Sequence, residues 1–203
     1  MDKKIEQHLA KDPKMAAVME VITLPELEAN NDIYYELLNS IVSQQLSVKA
    51  AATIFDRFLN LFPLCEPTPE RVTEMDTEIL RGCGLSYQKV SYIKNIALYW
   101  IENKALTKDW LVLTDEEIIA ELTPIKGVGK WTVQMILMFQ LNRPDVFPVD
   151  DLVIRQSMVK MYNVTETGKD LLKKLHEIAE PWRPYRSIAC RFVWRFKDMP
   201  LVK

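Results

Sequence analysis

The chain has 203 residues, 48% of them hydrophobic, and its 26 Lys and Arg against 28 Asp and Glu leave a net charge of −2. This composition supplies a core for one domain or two small lobes, but it holds no apolar run of the ~18 residues that would cross a bilayer, and Met1-Asp-Lys-Lys opens onto no signal-peptide segment, so neither a membrane protein nor an exported one is expected. Cys65, Cys83 and Cys190 are odd in number and far apart, and His8 and His176 are isolated, which argues against a disulfide scaffold and a zinc site and suits a reducing compartment.

In chain order, residues 1–32 read as a helical lead-in. Met15–Ile22 has apolar residues at helical spacing, punctuated by Pro25 and Asn30-Asn31. Ile33, Leu37, Leu38 and Ile41 make the apolar face of the next helix, and another runs Val48–Phe62 with Ser47 as its cap. Pro63–Pro69 reads as a loop, and Thr68-Pro69 starts a short helix with Glu70 in its first turn, where a carboxylate suits the helix dipole. Leu80–Ser86 reads as a turn built on Gly82 and Gly84. Tyr87–Asn103 is a long amphipathic helix, and Thr107–Leu113 is a connector. Further helices are predicted at Asp115–Leu122, Trp131–Leu141, Leu152–Tyr162, Thr167–Ala179 and Tyr185–Phe196. Strand-like alternation is scarce and no repeat of solenoid length occurs, so the fold class is all-α.

Two of only five glycines, Gly127 and Gly129, flank Val128 between two of these helices. A Gly-Val-Gly turn that opens a helix aims backbone N–H groups at an anion, most often a phosphate, and a Cβ there would hold the phosphate away. About twenty residues on, Asp150 and Asp151 follow Pro148 and precede the apolar run Leu152–Ile154. One of the two carboxylates serves as a helix cap. The second is more than a cap needs, and with the phosphate-gripping turn it points to chemistry on a nucleic acid. Charge is a weak guide to the same end. From Arg143 to Lys203 there are 12 Lys and Arg against 8 Asp and Glu, a net of +4 that leaves −6 for the rest. That excess fits local phosphate contacts or an ordinary solvated surface, and not a strong polyelectrolyte grip.

Four ordered motifs carry a resemblance. They are Ser40-Ile-Val-Ser-Gln-Gln-Leu-Ser-Val-Lys-Ala-Ala, Gly84-Leu-Ser with Lys89, the stretch Leu122-Thr-Pro-Ile-Lys-Gly-Val-Gly-Lys-Trp-Thr running on to Pro148-Val-Asp-Asp, and Trp182-Arg-Pro-Tyr-Arg-Ser followed by Trp194. Together, over roughly Tyr34 to Phe196, they resemble the helix-hairpin-helix (HhH-GPD) DNA glycosylase superfamily, and within it the DNA-3-methyladenine glycosylase II branch. The resemblance implies two helical lobes flanking a cleft, one of residues 33–142 with the hairpin at about 115–141, the other of residues 1–32 plus 143–203. It places the hairpin and the aspartate on facing sides of that cleft.

The resemblance also implies roles. The catalytic carboxylate of the family motif falls on Asp151, with Asp150 as the cap or an orienting neighbour lining the pocket. A carboxylate there stabilises positive charge on the sugar and orients or deprotonates the attacking water. Trp131 and Trp194 match aromatic residues of an alkyl-base pocket, where an indole face attracts a cationic base. Gln44 lines that pocket, and Gln45 stands at the position of the wedge that fills the gap left by a flipped base, a position commonly apolar in this branch. Gly127, Gly129 and Lys130 contact DNA phosphate. The backbone carbonyls of Thr123, Ile125 and Val128 match positions that hold Na+ or K+ in some members; no other cofactor is implied. Members that also cut the strand carry a Schiff-base lysine where this chain has Trp131, and the four cysteines of an iron–sulfur loop are missing. Both departures point to a monofunctional enzyme acting on alkylated purines in double-stranded DNA. A non-catalytic helix-hairpin-helix DNA-binding module is the competing reading. A monomer is expected, in the cytoplasm (nucleoid) or the nucleus.

Overall fold

Most helix starts in this chain are written into the sequence as an Asp, Ser or Thr whose side-chain oxygen accepts a backbone N–H of the first turn, a cap worth ~1 kcal/mol. The computed structural model describes residues 2–27 and 32–197; Asn30-Asn31 lie outside them. Among the described residues every regular element is an α-helix or a short 3-10 helix.

The chain divides into two compact units, one of residues 1–29 and 137–203 and one of residues 30–136. The second unit holds α3 (Ile33–Ser43), α4 (Val48–Leu59), α5 (Pro69–Glu74), α6 (Thr77–Gly82), α7 (Tyr87–Glu102) and α8 (Asp115–Leu122), capped in turn by Asp32, Ser47, Thr68, Asp76, Ser86 and Thr114. Thr114 and Glu117 form a reciprocal capping box. Its core is the apolar face read from the sequence: Leu37, Leu38 and Ile41 of α3 are fully buried with Ile93, Ile96 and Ala97 of α7, and Trp100 of α7 stacks on Trp110 at 5.8 Å. Each such aliphatic side chain contributes roughly 1.5–3 kcal/mol by leaving water.

The first unit holds α1 (Lys3–Leu9), α2 (Pro13–Val21), α10 (Leu152–Tyr162), α11 (Gly168–Ala179) and α12 (Arg186–Phe196), and the division between units falls inside α9 (Lys130–Phe139). The lead-in helices are tied down by Asp12. One carboxylate oxygen caps α2 through Lys14 N–H and Met15 N–H, and the other accepts from Tyr162 Oη at 2.6 Å and from Trp182 Nε1 at 3.0 Å. His8 Nε2 also lies 3.0 Å from the Pro181 carbonyl, so α1 is held as well.

Several boundaries depart from the sequence reading; the helix expected over Val48–Phe62 ends at Leu59. The stretch read as a turn from Leu80 begins inside α6, because Asp76 caps a helix that continues to Gly82; only Cys83–Ser86 turns. The helix after the hairpin runs Lys130–Phe139, where Trp131–Leu141 was expected, because Asn142 takes a left-handed φ of 50° and the backbone leaves the helix before it.

Candidate active site

The hairpin joins α8 to α9 through Thr123–Gly129. Val128 N–H donates to the Ile125 carbonyl at 2.9 Å, and Gly127 has φ +106°, which an L side chain rarely adopts. A Cβ at Gly127 would also run into the Tyr92 ring of α7, whereas one at Gly129 would meet nothing within 4 Å. The two glycines therefore have different reasons. Gly127 is required by the protein's own packing, and Gly129 leaves open space at the start of α9, beside the exposed Lys130. Ile125 and Val128 are buried, and Thr123 spends its hydroxyl on the Ile119 carbonyl.

The tip between α3 and α4 sits beside the hairpin. Gln44 Nε2 reaches the Gly127 carbonyl at 3.5 Å, and Lys89 of α7 donates its ammonium to the carbonyls of Val42 at 2.7 Å and Gln44 at 2.8 Å. That ammonium sits at the carbonyl end of α3, where the helix dipole favours a cation, although desolvation lowers its pKa. Thus held, Gln45 takes a left-handed φ of 59° and is exposed, with the apolar Leu46 and Val48 exposed after it. One cavity of about 360 Å³ brings Gln44, Gln45 and Trp131 together, with Glu36, Asn39, Ser40 and Ser43 of α3 along its wall. Trp131 is 43% exposed. The sequence reading assigns none of the four α3 residues to a pocket, although Ser40 and Ser43 lie in its first motif. Their signal was a polar stripe at i, i+3, i+4 and i+7, opposite the apolar face.

Asp151 lies in the other unit, and it is the N-cap of α10. Its Oδ1 accepts from Ile154 N–H at 2.8 Å and from Trp194 Nε1–H at 3.0 Å, and the residue is 9% exposed. The cap is thus Asp151 itself and not its neighbour; Asp150 is exposed, and its backbone carbonyl accepts from Arg155. Trp194 is half-buried and its ring lies 5.6 Å from that of Phe139.

The loop leading to Asp151 is fixed by the Trp-Arg-Pro-Tyr-Arg-Ser motif. Arg186 grips the Asp145 carboxylate with Nε at 2.7 Å and a guanidinium amine at 3.0 Å, and Arg183 reaches the same carboxylate at 2.6 Å. Such bidentate pairs hold both position and angle. Ser187 Oγ donates to the Arg143 carbonyl at 2.6 Å and accepts from Val146 N–H at 2.9 Å, while Ser187 N–H donates to the Pro144 carbonyl. A buried serine and two arginines therefore set the path of residues 143–146, five residues before Asp151.

A glycine hairpin between helices in one unit, and in the other a carboxylate held still by an indole N–H and a helix start, define a helix-hairpin-helix protein of DNA base repair. The family model described as HhH-GPD superfamily base excision DNA repair protein matches residues 38–184, and the chain belongs to that superfamily. It is 40% identical over 164 residues to DNA-3-methyladenine glycosylase 1 of Schizosaccharomyces pombe, covering 80% of this chain and 71% of that one. The structure is similar to a 3-methyladenine DNA glycosylase of Schizosaccharomyces pombe solved with abasic DNA, with a TM-score of 0.77, 32% identity and 97% of each chain covered. It is similar also to a DNA-3-methyladenine glycosidase of Bacillus halodurans, with a TM-score of 0.79, 30% identity, and 96% of this chain and 88% of that one covered. Among the described residues no helix is long and apolar enough to cross a membrane, and no three His, Cys, Asp or Glu side chains converge as a metal site.

Proposed function

We infer that this chain is a DNA glycosylase that flips an alkylated purine out of double-stranded DNA and hydrolyses its N-glycosidic bond, without a strand-cutting step. The observation that carries the reading is the hydrogen-bonded clamp on Asp151, with Ile154 N–H and Trp194 Nε1–H on one carboxylate oxygen. As the glycosidic bond breaks, positive charge grows on the sugar, and a carboxylate already fixed in place stabilises it without reorganising. The same group orients the attacking water. A leaving base that is already cationic departs without an acid, so a second carboxylate is not required, which fits the exposure of Asp150.

The remaining roles follow from position. Gly129 and Lys130 at the start of α9 receive a phosphate. Gln45, with Leu46 beside it, fills the stack after flipping, which costs a few kcal/mol. The carbonyls of Thr123, Ile125 and Val128 would hold a Na+ or K+ that draws the phosphate to the turn. Ile125 already accepts Val128 N–H, and a carbonyl keeps a second lone pair for such a cation. Trp131, unlike a lysine, has no amine to form a Schiff base, which supports base removal alone. Base release from methylated duplex DNA tests the whole reading, with strand breaks scored before and after alkali. Released base with breaks only after alkali is the expected result. Breaks before alkali would contradict the monofunctional reading, and duplex binding without release would favour a non-catalytic binding module.

A further inference from the structure

The cavity at Trp131 contains a carboxylate that the chain leaves without a cation. Glu36 is half-buried on α3, and among the described residues no Lys, Arg or His nitrogen pairs with it. Its one polar partner is Asn39 Nδ2, 3.5 Å from each carboxylate oxygen, at the long limit of a hydrogen bond. Asn39 is itself only loosely engaged, its Oδ1 accepting from Ser43 Oγ at 3.5 Å. Burial pushes the Glu36 carboxyl above the usual range, and the Asn39 amide only partly offsets this. A desolvated carboxylate with no countercharge destabilises its surroundings, and an incoming cation relieves that cost where a neutral molecule does not. The half-exposed Trp131 indole lines the same cavity and favours the same charge.

We propose that Glu36 makes this cavity selective for a positively charged purine, accepting hydrogen bonds from its amino edge while Trp131 faces the ring. The natural ligand is then an N3- or N7-alkylated purine carrying its charge, and this last step rests on the glycosylase reading above. The selectivity itself does not.

Binding of two small probes tests it directly. The permanent cation 3,9-dimethyladeninium and its neutral counterpart 9-methyladenine are titrated against the full chain by equilibrium dialysis. Wild type is expected to prefer the cation by about tenfold or more, the scale of one hydrogen bond to a charged group. Glu36→Gln, which keeps the shape and one oxygen acceptor for Asn39 Nδ2, is expected to lose the preference, while Trp131→Ala weakens both probes. Equal binding of the probes by wild type, no binding of either, or a preference that survives Glu36→Gln would overturn the proposal. A second readout excludes a merely structural role. Glu36→Gln should slow release of 3-methyladenine from duplex DNA by about tenfold while leaving release of neutral hypoxanthine nearly unchanged, and an equal loss of both would count against it. Cation preference without release of any base by wild type would sink the glycosylase reading and leave the selective cavity standing.

Discussion

At Gly127 and Gly129 two glycines one residue apart answer to different demands. Gly127→Ala forces a Cβ against Tyr92 at a positive φ, and a loss of roughly 2–4 kcal/mol in unfolding free energy is expected. Gly129→Ala meets open space, so its stability should stay within about 1 kcal/mol of wild type while affinity for duplex DNA falls, because the added methyl occupies the approach of a phosphate. Urea melts beside duplex titrations check both; a Gly129→Ala protein that binds as well as wild type would remove that residue from the DNA contact. Trp194 gives a second test at this scale. Trp194→Phe keeps an aromatic ring and deletes the N–H that reaches Asp151. A hydrogen bond to a charged group is worth roughly 1.5–3 kcal/mol, so base release should slow by about ten- to a hundredfold in single turnover, with duplex affinity unchanged. An unchanged rate would mean that Trp194 does not orient the carboxylate.

α7 is the element on which the α3 tip and the hairpin of its unit both rest. Lys89, Tyr92, Asn95 and Tyr99 lie three, three and four residues apart, hence on one face. Lys89 holds the α3 tip, Tyr92 lies against Gly127, Asn95 reaches the Lys126 carbonyl at 3.5 Å, and Tyr99 Oη donates to Glu121 of α8 at 2.8 Å. Lys89→Met strips two carbonyls of their donor, and a loss of about 1–3 kcal/mol is expected. Base flipping, followed with a fluorescent base analogue in duplex DNA, should weaken beyond what that loss explains; flipping equal to wild type would show that the tip needs no such support. Much at this scale was legible in the sequence. Ser47, Thr68, Thr114 and the Asp150-Asp151 pair announce helix starts locally, and the Asp115–Leu122 and Leu152–Tyr162 bounds fall where those signals put them. α6 was missed because Gly82 and Gly84 read as a turn while the capping Asp76 was overlooked. The motif resemblance points to Gln44 and Gln45 at the end of α3 and carries no signal for the polar stripe that runs back to Glu36. The clamp of Arg183, Arg186 and Ser187 on residues 143–146 joins residues about forty apart, and no local pattern encodes such a pairing.

Across the whole molecule, both units hold wholly or partly buried tyrosines whose ionisation is pushed above the ordinary value near 10. Burial comes first for each, then Glu70 and Asp32 around Tyr34, the hydrogen bond to Glu121 for Tyr99, and that to Asp12 for Tyr162. The unfolded chain releases these protons near pH 10 and the folded chain keeps them, so their contribution to stability is complete below about pH 10 and is lost as pH rises beyond it. Thermal midpoints should therefore be flat from neutral pH to about 9.5 and then fall, and Tyr162→Phe should lessen the fall. A midpoint that holds through pH 11 would contradict the burial described for these hydroxyls.

Asp151 caps α10 and, in the function proposed above, is the group that drives base removal. Asp151→Asn retains an oxygen for capping, so the fold should survive, and the measurement is single-turnover release of 3-methyladenine from duplex DNA by wild type, Asp151→Asn and Asp150→Asn. Loss of release by about a hundredfold or more in Asp151→Asn alone, with duplex affinity and thermal midpoint kept, is the result expected. Release that persists in Asp151→Asn and vanishes in Asp150→Asn would contradict it.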